Sequence, residues 1–130
     1  MMMERAVDQG GKILVVATHG PTVNSTQALL RETASRLGKE VAFSGTTVEA
    51  AWQLLATGDV PGHNTTLAQT IHAHLDREPA SCVVLAQLSM ACLLFSYPDP
   101  LAEFGIPVYM SAQCGFEKVC KLLMTRSARR

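Results

Sequence analysis

Side chains able to bind a small ligand, or to exchange protons with it, recur directly after apolar runs in this sequence. Gln87 and Ser89 follow the run Cys82-Val-Val-Leu-Ala86, and Thr18 and His19 follow the run that begins at Lys12. Ser111, with Gln113 and Cys114 close behind, follows Ile106-Pro-Val-Tyr-Met110, and Thr22, Asn24 and Ser25 open the segment after His19. If each run is a strand of one parallel sheet and each following segment starts a helix, these groups gather at one edge, where open α/β sheets bind their ligands. Helix N-termini present unpaired backbone N–H groups and the positive end of a dipole. Threonine and serine hydroxyls beside them add donors, and the combination suits a carboxylate or a phosphate. Simple helix capping is the alternative role for Thr22, Asn24 and Ser25.

Two residues of this set are candidates for proton transfer. His19 is a candidate general base, because an unperturbed imidazole titrates at about 6.5; a hydrogen-bonding role in the loop is the alternative. Cys114, beside Gly115 and near a helix start where a thiolate is favoured, is the candidate reactive thiol. Cys82 and Cys120 are expected to pack as small hydrophobes, and Cys92 to lie in the core or at a subunit interface. The four cysteines form no CxxC pair and lack zinc-ligand spacing. His72 and His74, two apart on a helix, point in different directions, and His63, in the first turn of that helix, is expected to face solvent. No metal and no cofactor is expected. Neither GxxxxGK[ST] nor GxGxxG occurs, so nothing supports nucleotide binding.

The elements that must position these side chains follow from the apolar pattern. Lys12–Thr18 and Cys82–Ala86 are continuous apolar runs rich in β-branched residues, as expected of strands buried on both faces of a parallel sheet. Glu40–Ser44 is a weaker, edge-like strand, and Ile106–Met110 is the last. Helices are expected from Thr22 to Leu37, stopped by Gly38, and from Val48 to Thr57 around Trp52. A third helix is capped by Asp59, has Pro61 in its first turn, and carries Leu67, Ile71 and Leu75 at a spacing of four. It ends before Pro79. A short helix over Met90–Phe95, a turn reaching Phe104 and a closing helix over Phe116–Met124 complete the reading. Strands and helices alternate, which predicts an α/β fold: a four-stranded parallel sheet, doubly wound and flavodoxin-like, strand order 2-1-3-4, with helices on both faces.

The chain has 130 residues, is 48% hydrophobic and only 17% charged, and carries no formal net charge. That is enough apolar material for one core, without the basic footprint of a nucleic-acid binder. No apolar run approaches the ~18 residues of a membrane span, and the N-terminus lacks a signal-peptide core. A cytoplasmic protein is expected, organised as a flexible arm over 1–11, a single domain over 12–125 and a basic tail over 126–130.

Four stretches, in order, resemble the aspartate/glutamate/hydantoin racemase superfamily. Leu85-Ala-Gln-Leu-Ser-Met-Ala91 resembles the segment after its central strand. Ile13-Leu-Val-Val-Ala-Thr18 with Thr22 resembles its threonine-containing loop. Glu49-Ala-Ala-Trp-Gln-Leu-Leu-Ala-Thr-Gly-Asp59 with His63 resembles its helix–Gly-Asp–helix junction, and Ile106-Pro-Val-Tyr-Met-Ser111 with Gly115 and Glu117 its last strand and following helix. Members usually have two similar lobes around the active site and use one cysteine from each as acid and base. This chain resembles a single lobe, the C-terminal one, and Gln87 stands where the second cysteine of the family's Leu-x-Cys-Thr segment falls. A glutamine cannot shuttle protons as a thiol does. The resemblance implies a racemase-like protein that binds a small carboxylate through Thr18, Thr22, Gln87, Ser89 and Ser111. Proton transfer of isomerase or lyase type, if any, would run through His19 or Cys114 without the two-cysteine mechanism. The alternative is a non-catalytic ligand-binding or interaction subunit. An uncovered apolar face where the second lobe would sit implies a homodimer or higher oligomer.

Overall fold

Strand β1 (Lys12–Ala17) forms the middle of the molecule, with Ile13 through Ala17 all fully buried. In the computed structural model, which describes residues 2–110 with the side chain of Leu88 excepted, β1 pairs in parallel with β2 (Ala42–Thr47) on one side and β3 (Cys82–Leu85) on the other. β4 (Val108–Met110) pairs in parallel with β3, giving the order β2-β1-β3-β4. This is the expected four-stranded α/β sheet, with a flavodoxin-like arrangement. Side chains alternate along a strand. Leu14, Val16, Val83 and Leu85 therefore share one core, and Ile13, Val15, Cys82 and Val84 share the other.

The helices divide between those cores. α2 (Gly20–Leu37) covers one face with Val23, Leu30 and Ala34. Its end is set by Gly38, which takes φ 67° and closes the last turn with its own N–H on Ser35 and the Lys39 N–H on Ala34. α3 (Glu49–Ala56) and α4 (Val60–Arg77) cover the opposite face, and the Asp59 side chain caps α4 by accepting from the Gly62 N–H at 2.9 Å. After β3 come a 3₁₀ turn (Leu88–Cys92), α5 (Leu93–Ser96) and α6 (Pro100–Phe104), all on the α4 side. No helix among the described residues is long and apolar enough to cross a membrane.

Three expectations need correction. The segment 1–11 is not a loose arm: Met2–Gln9 forms helix α1, which buries Ala6 and Val7 completely against α2 and β3. Its ion pairs Glu4–Arg36 and Asp8–Lys39 are exposed and contribute about 0–1 kcal/mol each. Burying Val7 contributes more, about 1.5–3 kcal/mol, so packing holds the helix in place. At its end Gly10 and Gly11 both take positive φ, and a Cβ on Gly11 would collide with the Ser81 side chain. Second, β2 lies at Ala42–Thr47 rather than 40–44. It is mostly exposed, so it has little apolar pattern, and its extent comes from pairing with all six residues of β1. Third, of Leu29, Leu30, Thr33 and Leu37, whose helical spacing predicts one shared face, Leu30 and Thr33 are buried while Leu29 and Leu37 are exposed. The closing helix and the basic tail of 126–130 lie outside the described residues.

Candidate functional site

The register that joins β1 to β3 decides what meets at the C-terminal edge. Val16 is opposite Leu85. Two residues further along, just past the ends of both strands, Thr18 and Gln87 meet. They are hydrogen-bonded: the Thr18 N–H and the Thr18 hydroxyl both donate to Gln87 Oε1, at 2.5 and 2.6 Å. A backbone N–H can only donate, so the amide oxygen is the atom that faces Thr18. The Gln87 amide nitrogen is thereby turned away from Thr18, and it has no partner among the described residues. Thr18 is fully buried and Gln87 half-buried.

The other sequence-derived site residues sit around this pair with different degrees of engagement. Thr22 lies in the first turn of α2, half-buried, and its N–H closes a turn on the His19 carbonyl at 3.2 Å. His19 precedes α2 in an extended conformation but caps nothing with its side chain. It is exposed, and its ring is 6.4 Å from that of Trp52. No hydrogen bond joins His19 to Thr18 or Gln87. Asn24 and Ser25 are exposed, and Ser25 donates back to the Pro21 carbonyl at 2.7 Å. Ser89 is half-buried in the 3₁₀ turn. Ser111, Gln113 and Cys114 lie outside the described residues. The open groove of about 710 Å³ bordered by Pro21, Asn24, Gln27 and Thr46 lies between α2 and β2. Neither Thr18, Gln87 nor Ser89 lines it, so it is a separate surface feature.

His63 departs most from expectation. It is fully buried, not solvent-facing. Its Nδ1 lies 2.8 Å from Asn64 Oδ1, while Asn64 Nδ2 donates to the Cys92 carbonyl at 2.7 Å and to Ser96 Oγ at 3.0 Å. The Cys92 carbonyl can only accept, which fixes the Asn64 amide nitrogen there and its oxygen toward His63. His63 Nδ1 must then carry the hydrogen. In the neutral ring Nε2 then holds the lone pair, and it is buried without a hydrogen-bond partner among the described residues. The signal was in the sequence. The stripe Leu67, Ile71, Leu75 extends back four residues to His63, on the face that packs on the sheet.

The remaining titratable groups have structural roles. His72 pairs with Glu103 at 3.0 Å and packs on Phe104, tying α4 to α6. His74 is buried on a different face of α4, 3.6 Å from Glu78. Burial pushes the Cys82 thiol up to about 11, so it stays protonated and inert in the core. Among the described residues, no three His, Cys, Asp or Glu side chains are grouped to hold a metal ion. No family model, curated protein or solved structure matches the chain.

Proposed function

We propose that the protein binds a small carboxylate at the C-terminal edge of its sheet, as a single-lobe domain of the racemase type. The observation that carries this reading is the Thr18–Gln87 pair. Thr18 occupies the Gln87 carbonyl with both of its donors, so the side of Gln87 left for a ligand is a pair of amide N–H groups. The N-terminus of α2 begins two residues after Thr18 and adds the Gly20 N–H and a favourable dipole, since Pro21 has no N–H and that of Thr22 is bonded to the His19 carbonyl. Thr22 and Ser89 contribute hydroxyls from the same edge. Amide and hydroxyl donors of this kind favour an anionic ligand. We favour binding over turnover, because among the described residues no acid or base is hydrogen-bonded to either member of the pair. The test is a thermal-shift screen of mono- and dicarboxylates and hydantoins. A ligand at about 100 times its Kd should stabilise by about 2.7 kcal/mol, and no shift across the panel overturns the reading.

The same reading includes a homodimer or higher oligomer formed through exposed apolar side chains. Trp52, Phe95 and Leu101 support it as large apolar side chains left 42%, 82% and 54% exposed. Light scattering at micromolar concentration checks it, and a monomer there would refute it.

A further inference from the structure

We infer that the buried Nε2 of His63 is a ligand-binding acceptor in the same site, and that the site therefore takes a carboxylate bearing a hydroxyl on the adjacent carbon. The inference rests on the carboxylate reading above and adds its second half. The residues of α4 that face the sheet recur every four: Leu75, Ile71, Leu67 and His63. Those of the sheet recur every two: Leu14 and Val16 on β1, with Thr18 next just past its end, and Val83 and Leu85 on β3, with Gln87 next just past its end. Four helical residues rise about 6.0 Å and two strand residues about 6.6 Å, so the repeats stay in step over three layers. α4 starts at the C-terminal edge, since Asn64 bonds to the Cys92 carbonyl just beyond β3, and it runs antiparallel to the strands. Ile71 and Leu67 pack with the two apolar layers, and one further repeat on each element brings His63 level with Thr18 and Gln87.

That layer is polar and incomplete. Gln87 offers amide donors and His63 a lone pair, and neither has a partner among the described residues. A buried acceptor left unpaired is destabilising, and water or a ligand donor would relieve it. Asn64 holds the imidazole in the tautomer that keeps Nε2 an acceptor, and its own amide is saturated by His63, Cys92 and Ser96, so it cannot turn away. A carboxylate held by Gln87 places its neighbouring carbon one bond further on, where a hydroxyl can donate to His63. The layer contributes only neutral groups, so a hydroxyl is desolvated there at lower cost than an ammonium.

The test compares ligands that differ by that hydroxyl, glycolate with acetate and each malate enantiomer with succinate, on the whole chain by calorimetry. The hydroxylated member of a pair should bind about tenfold tighter, the worth of one further hydrogen bond. In His63→Phe the advantage should vanish while the affinity for the plain carboxylate is unchanged. In the unsubstituted protein, labelled with ¹⁵N-histidine, the His63 Nε2 resonance should move upfield with the hydroxy acid and stay still with its partner. This readout decides the matter if the variant does not fold. Equal affinities within each pair, an advantage that survives in His63→Phe, or an unmoved Nε2 resonance would overturn the inference and leave the carboxylate site standing. Failure of all these acids to bind would remove the carboxylate site, and the inference with it.

Discussion

Replacing Gln87 by glutamate separates the two jobs of this side chain. A carboxylate at position 87 keeps the oxygen that accepts from the Thr18 N–H and hydroxyl at 2.5 and 2.6 Å. Hydrogen bonds to a charged acceptor contribute about 1.5–3 kcal/mol against about 0.5–1.5 for neutral ones, so Gln87→Glu should fold with little loss of stability at neutral pH. Ligand binding should respond in the opposite way. The amide donor is lost, which removes about 1.5–3 kcal/mol from the contact with a carboxylate. Two like charges about 4 Å apart at an effective dielectric constant of about 20 repel by about 4 kcal/mol. Gln87 is half-buried, so solvent screening reduces this repulsion. At half that repulsion the total is still about 3.5–5 kcal/mol, a loss of at least several-hundredfold in Kd at about 1.4 kcal/mol per tenfold. The assay pairs urea denaturation with calorimetric titration of the best carboxylate from the screen. A Gln87→Glu protein that folds normally and binds that carboxylate as tightly as the parent would refute the placement of the amide N–H groups at the ligand. A collapse in stability would refute the account of Thr18 as the donor that holds residue 87.

Thr18→Val should remove one of the two bonds to Gln87, cost about 1 kcal/mol in urea unfolding, and weaken carboxylate binding through a less fixed amide; an unchanged midpoint and unchanged affinity would contradict that role. Cys82, with its thiol raised to about 11 in a fully buried strand, should resist a thiol reagent in the native protein at pH 8 and react on denaturation, so rapid labelling of the folded state would count against the packing described. The Lys12 ammonium, hydrogen-bonded to Glu78, holds that carboxyl below its ordinary value. A lowered folded-state pKa means that ionised Glu78 stabilises the fold above the unfolded carboxyl value, and that this is lost as pH falls through the folded one. The Tm of Glu78→Gln should then lie slightly below the parent near neutral pH and converge with it in acid, with a smaller gap at high salt; a gap independent of pH would contradict the pairing.

What could be read in the sequence was what each segment carries within itself. The continuous apolar runs at Ile13–Ala17 and Cys82–Leu85 show full burial without reference to any other segment, and Gly38 and Asp59 mark helix ends by local chemistry alone. The sheet order followed from alternating strands and helices. What escaped depended on partners. β2 is displaced from its expected span because an exposed edge strand has no buried face to reveal it, and its length is set by β1. Helix α1 reads as a polar arm until Ala6 and Val7 are seen against the face that α2 and β3 present.

The candidate site divides along the same line. That Thr18 and Gln87 come to one edge was legible from two strand ends. That they bond to each other was not, because it depends on a register, Val16 opposite Leu85, that no local pattern specifies. The bond changes what each residue can do. Thr18 had the look of a carboxylate ligand in its own right, yet both its donors are committed to Gln87. Gln87, with its oxygen occupied, offers donors and no exchangeable proton of useful acidity. The residue that does bring a bare lone pair to this layer is His63, hidden by a first-turn position that ordinarily faces water and exposed only by following a four-residue stripe one step past its last aliphatic member. Among the described residues, what Thr18 and Gln87 bring to the strand ends is uncharged hydrogen-bonding groups, with the Gln87 amide N–H groups left to recognise a partner.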